Sequence, residues 1–305
     1  MKVLVTGGSG FIASHVIDAL LLRGIGVVAF DRRRAAWEDQ HVDRFLGDLR
    51  DRTAVAEAIA LCDGVIHLAG VLGTSETIDD PAPSVETNIL GGLNLLQAIR
   101  QYRKRAVYIT VGNYWFLNSY SITKTTMESL VWMFNREHGT EVAVVRALNA
   151  YGPRQKAAPV RKIMPNLILP ALAGEPITVY GDGEQVMDMV YVDDVADVLV
   201  RALLVDHGQY RGADPARNED NPLKFEIGTG VPTTVNDVVD EVIRQGGVGS
   251  RVVHVPMRGG EPERSVVMGN PETLRPLYDG QPPRLTTLEE GVAKTVAWYR
   301  EHLGR

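Results

Sequence analysis

The sequence has a single cysteine, Cys62, which excludes an intramolecular disulfide and any multi-cysteine zinc or iron–sulfur site. Basic residues are not in excess. Lys and Arg number 32 against 38 Asp and Glu, giving a formal net charge of −6, so nothing draws the chain in general to nucleic acid or an anionic membrane. No uncharged apolar run approaches the ~20 residues that span a bilayer. No signal-peptide pattern precedes the apolar run Lys2–Val5, which reads as cytoplasmic. Internal repeats and low-complexity segments are absent too. What remains is 305 residues with 45% hydrophobic and 23% charged side chains, enough for a full core and unlike a disordered or fibrous chain.

The first half alternates short β-branched runs with longer helical patterns. Strands are expected at Lys2–Thr6, Val27–Phe30, Val65–Leu68, Val107–Thr110 and Val142–Arg146. Helices are expected at Ile12–Arg23, Thr53–Leu61, Val85–Tyr102 and Ser121–His138. This alternation implies parallel strands with crossover helices, and runs such as Val142–Val145 are apolar on both faces. The fold class is α/β, a doubly wound parallel sheet. After Pro153 the rhythm changes: prolines cluster, a basic loop carries Arg154, Lys156, Arg161 and Lys162, and a polar stretch from Gly208 to Pro222 reads as a loop. A strand at Met189–Val192 and helices at Val195–Leu204, Val235–Arg244 and Leu288–His302 complete the pattern. Residues 1–153 are expected to form the sheet domain and 154–305 a smaller α/β substrate domain, with part of 187–230 returning to the sheet.

Thr6-Gly7-Gly8-Ser9-Gly10-Phe11-Ile12-Ala13 follows the first strand and opens the first helix. Glycines there let backbone N–H groups approach a pyrophosphate at a helix N-terminus, the fingerprint of dinucleotide binding. Asp31 ends the second strand twenty-one residues after Gly10, where a carboxylate binds both ribose hydroxyls and repels a 2′-phosphate. That favours NAD, although Arg32, Arg33 and Arg34 are the residues an NADP phosphate would use. Asp48-Leu49 is either an adenine contact or the region before a helix cap. Tyr120 and Lys124 lie four apart on one helical face. A phenol titrates near 10, and an adjacent ammonium with a positive nicotinamide ring would bring it towards general-base strength.

With these motifs the chain resembles the extended short-chain dehydrogenase/reductase family of NAD-dependent nucleotide-sugar epimerases and dehydratases. The resemblance also runs through His67-Leu68-Ala69-Gly70, Asn88, Arg146-Ala147-Leu148-Asn149-Ala150-Tyr151-Gly152, Val179-Tyr180-Gly181, Tyr191-Val192-Asp193-Asp194 and Arg258-Gly259-Gly260-Glu261. It implies a Rossmann domain binding NAD through Gly7, Gly10, Phe11, Ile12, Asp31, Arg32, Asp48 and Leu49, with Leu68, Ala69, Gly70 and Asn88 at the nicotinamide. It further implies that Asn149, Tyr180 and Arg258 bind a nucleotide-diphosphate sugar. His67 reads as a core residue, and Asp193 and Asp194 as a helix start.

Three departures from the family pattern stand out. The register places Val111 where the family has a catalytic hydroxyl, with Thr110 one residue early on the opposite strand face. Tyr120, Lys124 and Thr110 are nonetheless the expected catalytic set. The loop before Tyr120 is short, leaving Trp115 and Phe116 to close the site or pack in the core. Met187 stands where the family commonly has a phosphate-binding Arg, a loss that Arg154, Lys156, Arg161 or Lys162 would have to compensate. Gly112-Asn113 replaces the carboxyl pair of dehydratases, and no metal site is expected. A 4-epimerase through a 4-keto sugar is therefore the expected activity, beside a ketosugar reductase or a weakly catalytic cofactor-binding relative. Apolar stripes on two helices (Leu93, Leu96, Ile99, Met127, Leu130, Val131, Phe134) suggest a homodimer, as in relatives, unless they only cover the sheet.

Overall fold

In the computed structural model, residues 1–34, 40–206, 223–246 and 249–302 are described. The polar stretch expected as a loop at 208–222 lies outside them. The chain begins β1 (Lys2–Thr6), α1 (Phe11–Leu21), β2 (Gly26–Asp31), β3 (Val42–Leu46), α2 (Arg52–Ala60) and β4 (Gly64–His67). It continues with α3 (Ala82–Ser84), a widened helical turn at Val85–Gly91, α4 (Gly92–Tyr102), β5 (Arg105–Val111), α5 (Ser119–His138) and β6 (Val142–Ala147). The second half contains β7 (Asn149–Tyr151), α6 (Ile163–Ala173), β8 (Ile177–Tyr180), β9 (Val186–Met187), β10 (Met189–Tyr191) and α7 (Val192–Leu204). Then follow β11 (Lys224–Ile227), β12 (Thr233–Thr234), α8 (Val235–Gly246), β13 (Val252–Val255), β14 (Val266–Val267) and α9 (Leu288–His302).

Seven strands form one parallel sheet in the order β11-β6-β5-β4-β1-β2-β3. Every residue of β4 and β6 is buried, as a sheet covered on both faces requires. Helices α1 and α7 pack together on one face, and α4 and α5 on the other. Strand order reverses between β1 and β4, and the crevice beyond their carboxyl ends is where ligands enter such sheets.

A second core forms around Tyr151, Met164, Ile168, Ile177, Val238 and Val292, joining α6, β8, α8 and α9. Buried Asp188 ties this region to the sheet. Its carboxylate accepts hydrogen bonds from the Thr229 N–H at 2.7 Å, the Thr229 hydroxyl at 2.6 Å and the Gly230 N–H at 2.9 Å.

Of the apolar stripe residues, Leu96, Ile99, Met127, Val131 and Phe134 are buried within the chain against the sheet, while Leu93 and Leu130 are half-buried. The apolar residues α5 leaves exposed are Ile122 and Met133. Helical periodicity shows that one face is apolar and does not show what covers it.

Candidate active site

The cofactor groove starts at the β1–α1 turn. Gly7 has φ +69°, and a Cβ there would lie 2.8 Å from the Ala69 nitrogen, so a side chain is excluded twice over. Gly10 caps α1 without any side-chain oxygen to accept from the first-turn N–H groups. Gly10, Phe11, Ile12 and Ala13 line a cavity of about 430 Å³. An uncapped helix start approached by bare backbone suits a pyrophosphate, so these residues fit a dinucleotide.

At the far end of β2, the Asp31 carboxylate accepts from the Ser9 N–H at 3.1 Å and the Arg33 N–H at 3.0 Å. That fixes its direction and leaves lone pairs for hydroxyls. Arg32 is exposed and 3.9 Å from Asp48, whose pKa is lowered chiefly by its hydrogen bond with Arg50. Asp48 lies two residues beyond β3, and Asp51, not Asp48, caps α2. The Leu49 side chain is buried beneath Gly91, which leaves its backbone for a ligand.

On the other side of the crevice, the Thr6 hydroxyl oxygen accepts from the Leu68 and Ala69 N–H groups, both at 3.2 Å. Leu68 lines the cavity, whereas Ala69 backs onto Gly7 and Gly70 onto Asn88. Asn88 is buried, and its amide is committed to protein. It accepts from the Val71 N–H at 2.7 Å and donates to the Val71 carbonyl at 3.1 Å and the Thr123 hydroxyl at 3.0 Å. The structure therefore makes Asn88 a brace between the β4 loop and α5 rather than a wall residue.

Tyr120 and Lys124 occupy the start of α5, where the Asn118 side chain accepts from the Ser121 N–H at 2.9 Å and fixes the first turn. Both line the cavity with Thr110. The Thr110 hydroxyl donates to the Lys124 carbonyl at 3.4 Å, which puts it on the α5 side of the sheet. The Lys124 ammonium lies 4.7 Å over the Tyr108 ring, so Tyr108 and Thr110, two residues apart, share that face. Thr110 thus presents its side chain to the helix carrying Tyr120, and Thr110 and Val111 both line the cavity.

The Lys124 ammonium donates to the Ile109 carbonyl at 2.8 Å. The Tyr120 hydroxyl makes no hydrogen bond among the described residues. Burial pushes the Tyr120 phenol up to about 12 and the Lys124 ammonium down to about 7. Burial acts against the charged form of both groups. Behind them His67 is buried, 2.6 Å from the Thr6 hydroxyl, and held neutral at about 3 by burial and then by Lys124.

Because the Lys124 pKa falls from 10.5 unfolded to about 7 folded, the unfolded chain binds more protons between those values. Stability of the cofactor-stripped protein is therefore expected to rise with pH across that window, with the full penalty present below about 7. Denaturant midpoints from pH 6 to 10 should show a positive slope that Lys124→Met flattens. An identical slope in the variant rules the assignment out.

Asn149, Tyr180 and Arg258 also line the cavity. The Arg258 guanidinium sits 5.0 Å over the Tyr180 ring and donates to Glu261 at 2.5 Å, while Thr74 donates to the same carboxylate oxygen at 2.8 Å. Of the four basic residues weighed against Met187, Arg161 and Lys162 line the cavity. Arg154 is drawn off by Asp18 at 2.7 Å. Phe116 reaches the wall and Trp115 stays exposed. Thr74 and Gln185 were missed in the sequence reading, because only tertiary folding brings them to the wall, and Glu261 was noted there as part of the Arg258–Glu261 motif without a role.

A doubly wound sheet with a glycine turn at its switch point and a Tyr/Lys pair across the crevice is the framework of a short-chain dehydrogenase/reductase. The family model for the NAD dependent epimerase/dehydratase family matches residues 3–211. The chain belongs to that family; it is an enzyme, and its cofactor is NAD. It is similar to UDP-N-acetyl-alpha-D-glucosaminuronate decarboxylase of Bacillus cytotoxicus, with 26% identity over 98% of both chains. Among solved structures, the UDP-glucose 4-epimerase of Thermus thermophilus, in complex with NAD, superposes with a TM-score of 0.84 at 29% identity, covering 98% of this chain and 99% of that one. The UDP-glucose 4-epimerase of Thermotoga maritima, with UDP-glucose, gives 0.86 at 29% identity, covering 99% and 100%. Among the described residues no helix is long and apolar enough to cross a membrane.

Proposed function

We propose that this enzyme is a nucleotide-sugar 4-epimerase. The observation that carries the reading is the make-up of the cavity wall. Among the described residues its one carboxylate is Glu261, and that group is engaged by Arg258 and Thr74. A 4,6-dehydratase needs an acid/base pair beside the reacting hydroxyl, and the wall next to Thr110 offers Gly112 and Asn113 instead. The two UDP-glucose 4-epimerases among the similar structures support the same choice.

In this reading Gly7, Gly10, Phe11 and Ile12 hold the cofactor pyrophosphate and Asp31 the adenosine ribose. Bound NAD supplies the carrier that takes hydrogen from sugar C4 and returns it to the other face. Tyr120 accepts the C4 hydroxyl proton at its phenol oxygen and gives it back when the sugar has turned, and Thr110 shares that hydroxyl through its Oγ1. Lys124 keeps positive charge beside the phenol, offsetting the burial that holds the phenol at about 12. Tyr180 packs on the base and Arg258 binds phosphate, for which a guanidinium fork is suited.

Incubating the NAD-loaded enzyme with UDP-glucose, UDP-galactose and their N-acetyl and uronate analogues should interconvert one C4-epimeric pair without net NADH. Stoichiometric NAD(P)H turnover would instead identify a ketosugar reductase, and loss of carbon dioxide from a uronate a decarboxylase. Either result removes the epimerase assignment, as does the absence of any interconversion.

A further inference from the structure

The Lys124 ammonium is buried without a counter-ion. It donates to the Ile109 carbonyl at 2.8 Å, and among the described residues no carboxylate lies within 4 Å of it. Glu128, one turn further along α5, is taken by Arg146 at 2.7 and 3.2 Å. Glu86, on the widened turn packed against α5, pairs with Arg50 at 3.1 Å. His67 on β4 lies 2.6 Å from the Thr6 hydroxyl and is held neutral at about 3, and burial keeps the Tyr120 phenol neutral. What faces the charge is an aromatic ring. The centre of the Tyr108 ring is 4.7 Å from the Lys124 nitrogen, inside the distance at which a ring face attracts a cation. That ring packs against His67 at 5.2 Å, and its hydroxyl is buried without a hydrogen-bond partner.

We propose that the face of the Tyr108 ring holds the Lys124 ammonium charged and in place, which makes Tyr108 a positioning residue for the Tyr120/Lys124 pair. The inference rests on that pair being the groups that handle the proton. Tyr108 does not line the cavity, whereas Tyr120 and Lys124 do, so it acts through the lysine. A buried ammonium gives up its water, and one carbonyl replaces only part of that hydration. A carboxylate in place of the ring would hold the lysine more firmly, but it would cancel the positive charge that the phenol needs. An electron-rich ring attracts the ammonium and leaves the net charge of the site unchanged. The hydroxyl of Tyr108 has no share in this, because an unpartnered buried oxygen stabilises nothing.

The test is a carbon-13 NMR titration of the lysine side chains in the NAD-loaded protein, with Lys124 assigned by the signal that Lys124→Met removes. Tyr108→Leu should lower the Lys124 midpoint by about one pH unit, because the charged form loses the ring. Turnover measured above both midpoints should fall about tenfold, the same factor as the ammonium fraction, with KM for the sugar unchanged. Tyr108→Phe should keep the wild-type midpoint and turnover. Pentafluorophenylalanine at position 108 keeps the shape of the ring and draws electrons from its face, so it should act as Tyr108→Leu does; it decides the matter if the smaller side chain unsettles the fold. An unmoved Lys124 midpoint in the fluorinated protein, or a Tyr108→Phe shift as large as that of Tyr108→Leu, overturns the inference. A wild-type protein without epimerase turnover overturns the reaction proposed above, and the midpoints still decide what the ring does.

Discussion

Tyr120→Phe is expected to lower epimerisation turnover by about 10²- to 10⁴-fold, the range that a positioned acid/base group contributes. The substitution removes one oxygen. The ring remains against its neighbours at the start of α5, and the hydroxyl has no hydrogen-bond partner to abandon among the described residues, so the fold and the NAD content should not change. The size of the effect follows from the pocket: burial alone holds the phenol at about 12, where it is a poor base at neutral pH. Its function therefore depends on positive charge arriving near the oxygen, from Lys124 and from the cofactor. Turnover assayed on a matched, NAD-replete preparation checks this. A fall smaller than about tenfold would move the proton to another group, and Thr110 would be the next to examine.

The parts of this site that could be read from the sequence are those set by local chemistry. The glycine turn, Asp31 and the Tyr120/Lys124 pair are each fixed by spacing within one strand–turn–helix unit, and the structure places them where that spacing says. For the hydroxyl on β5 the motif supplied only a position, and the alternation of Tyr108 and Thr110 along the strand shows that Thr110 faces α5. Leu49 and Asn88 show a different limit. One is covered by Gly91 and the other is consumed by Val71 and Thr123, contacts that exist only after distant segments meet. The same holds for the basic loop: four cations were visible, but which of them turn inward is decided by Asp18, which captures Arg154 from α1.

The other large effect is expected at Arg146, which joins the catalytic helix to the sheet. Its Nη2 and Nε donate to both oxygens of Glu128 on α5 at 2.7 and 3.2 Å, and its Nη1 reaches Glu226 on β11 at 3.1 Å. The guanidinium also lies 4.6 Å from the centre of the Tyr114 ring, in the loop that leads to Tyr120. Arg146→Met keeps an unbranched apolar stem but leaves the buried Glu128 carboxylate without its cation, which should cost about 3–5 kcal/mol. Glu226 is less affected, because Lys224 at 4.0 Å and the Asn270 N–H at 3.2 Å remain with it. If the loss comes from the stranded charge, Arg146→Met/Glu128→Leu should regain most of it, because removing both members leaves an apolar contact of similar volume. Denaturant unfolding of the two variants separates these contributions. A single variant within 1 kcal/mol of wild type would show that Glu128 finds another partner and that α5 is held by its apolar face alone.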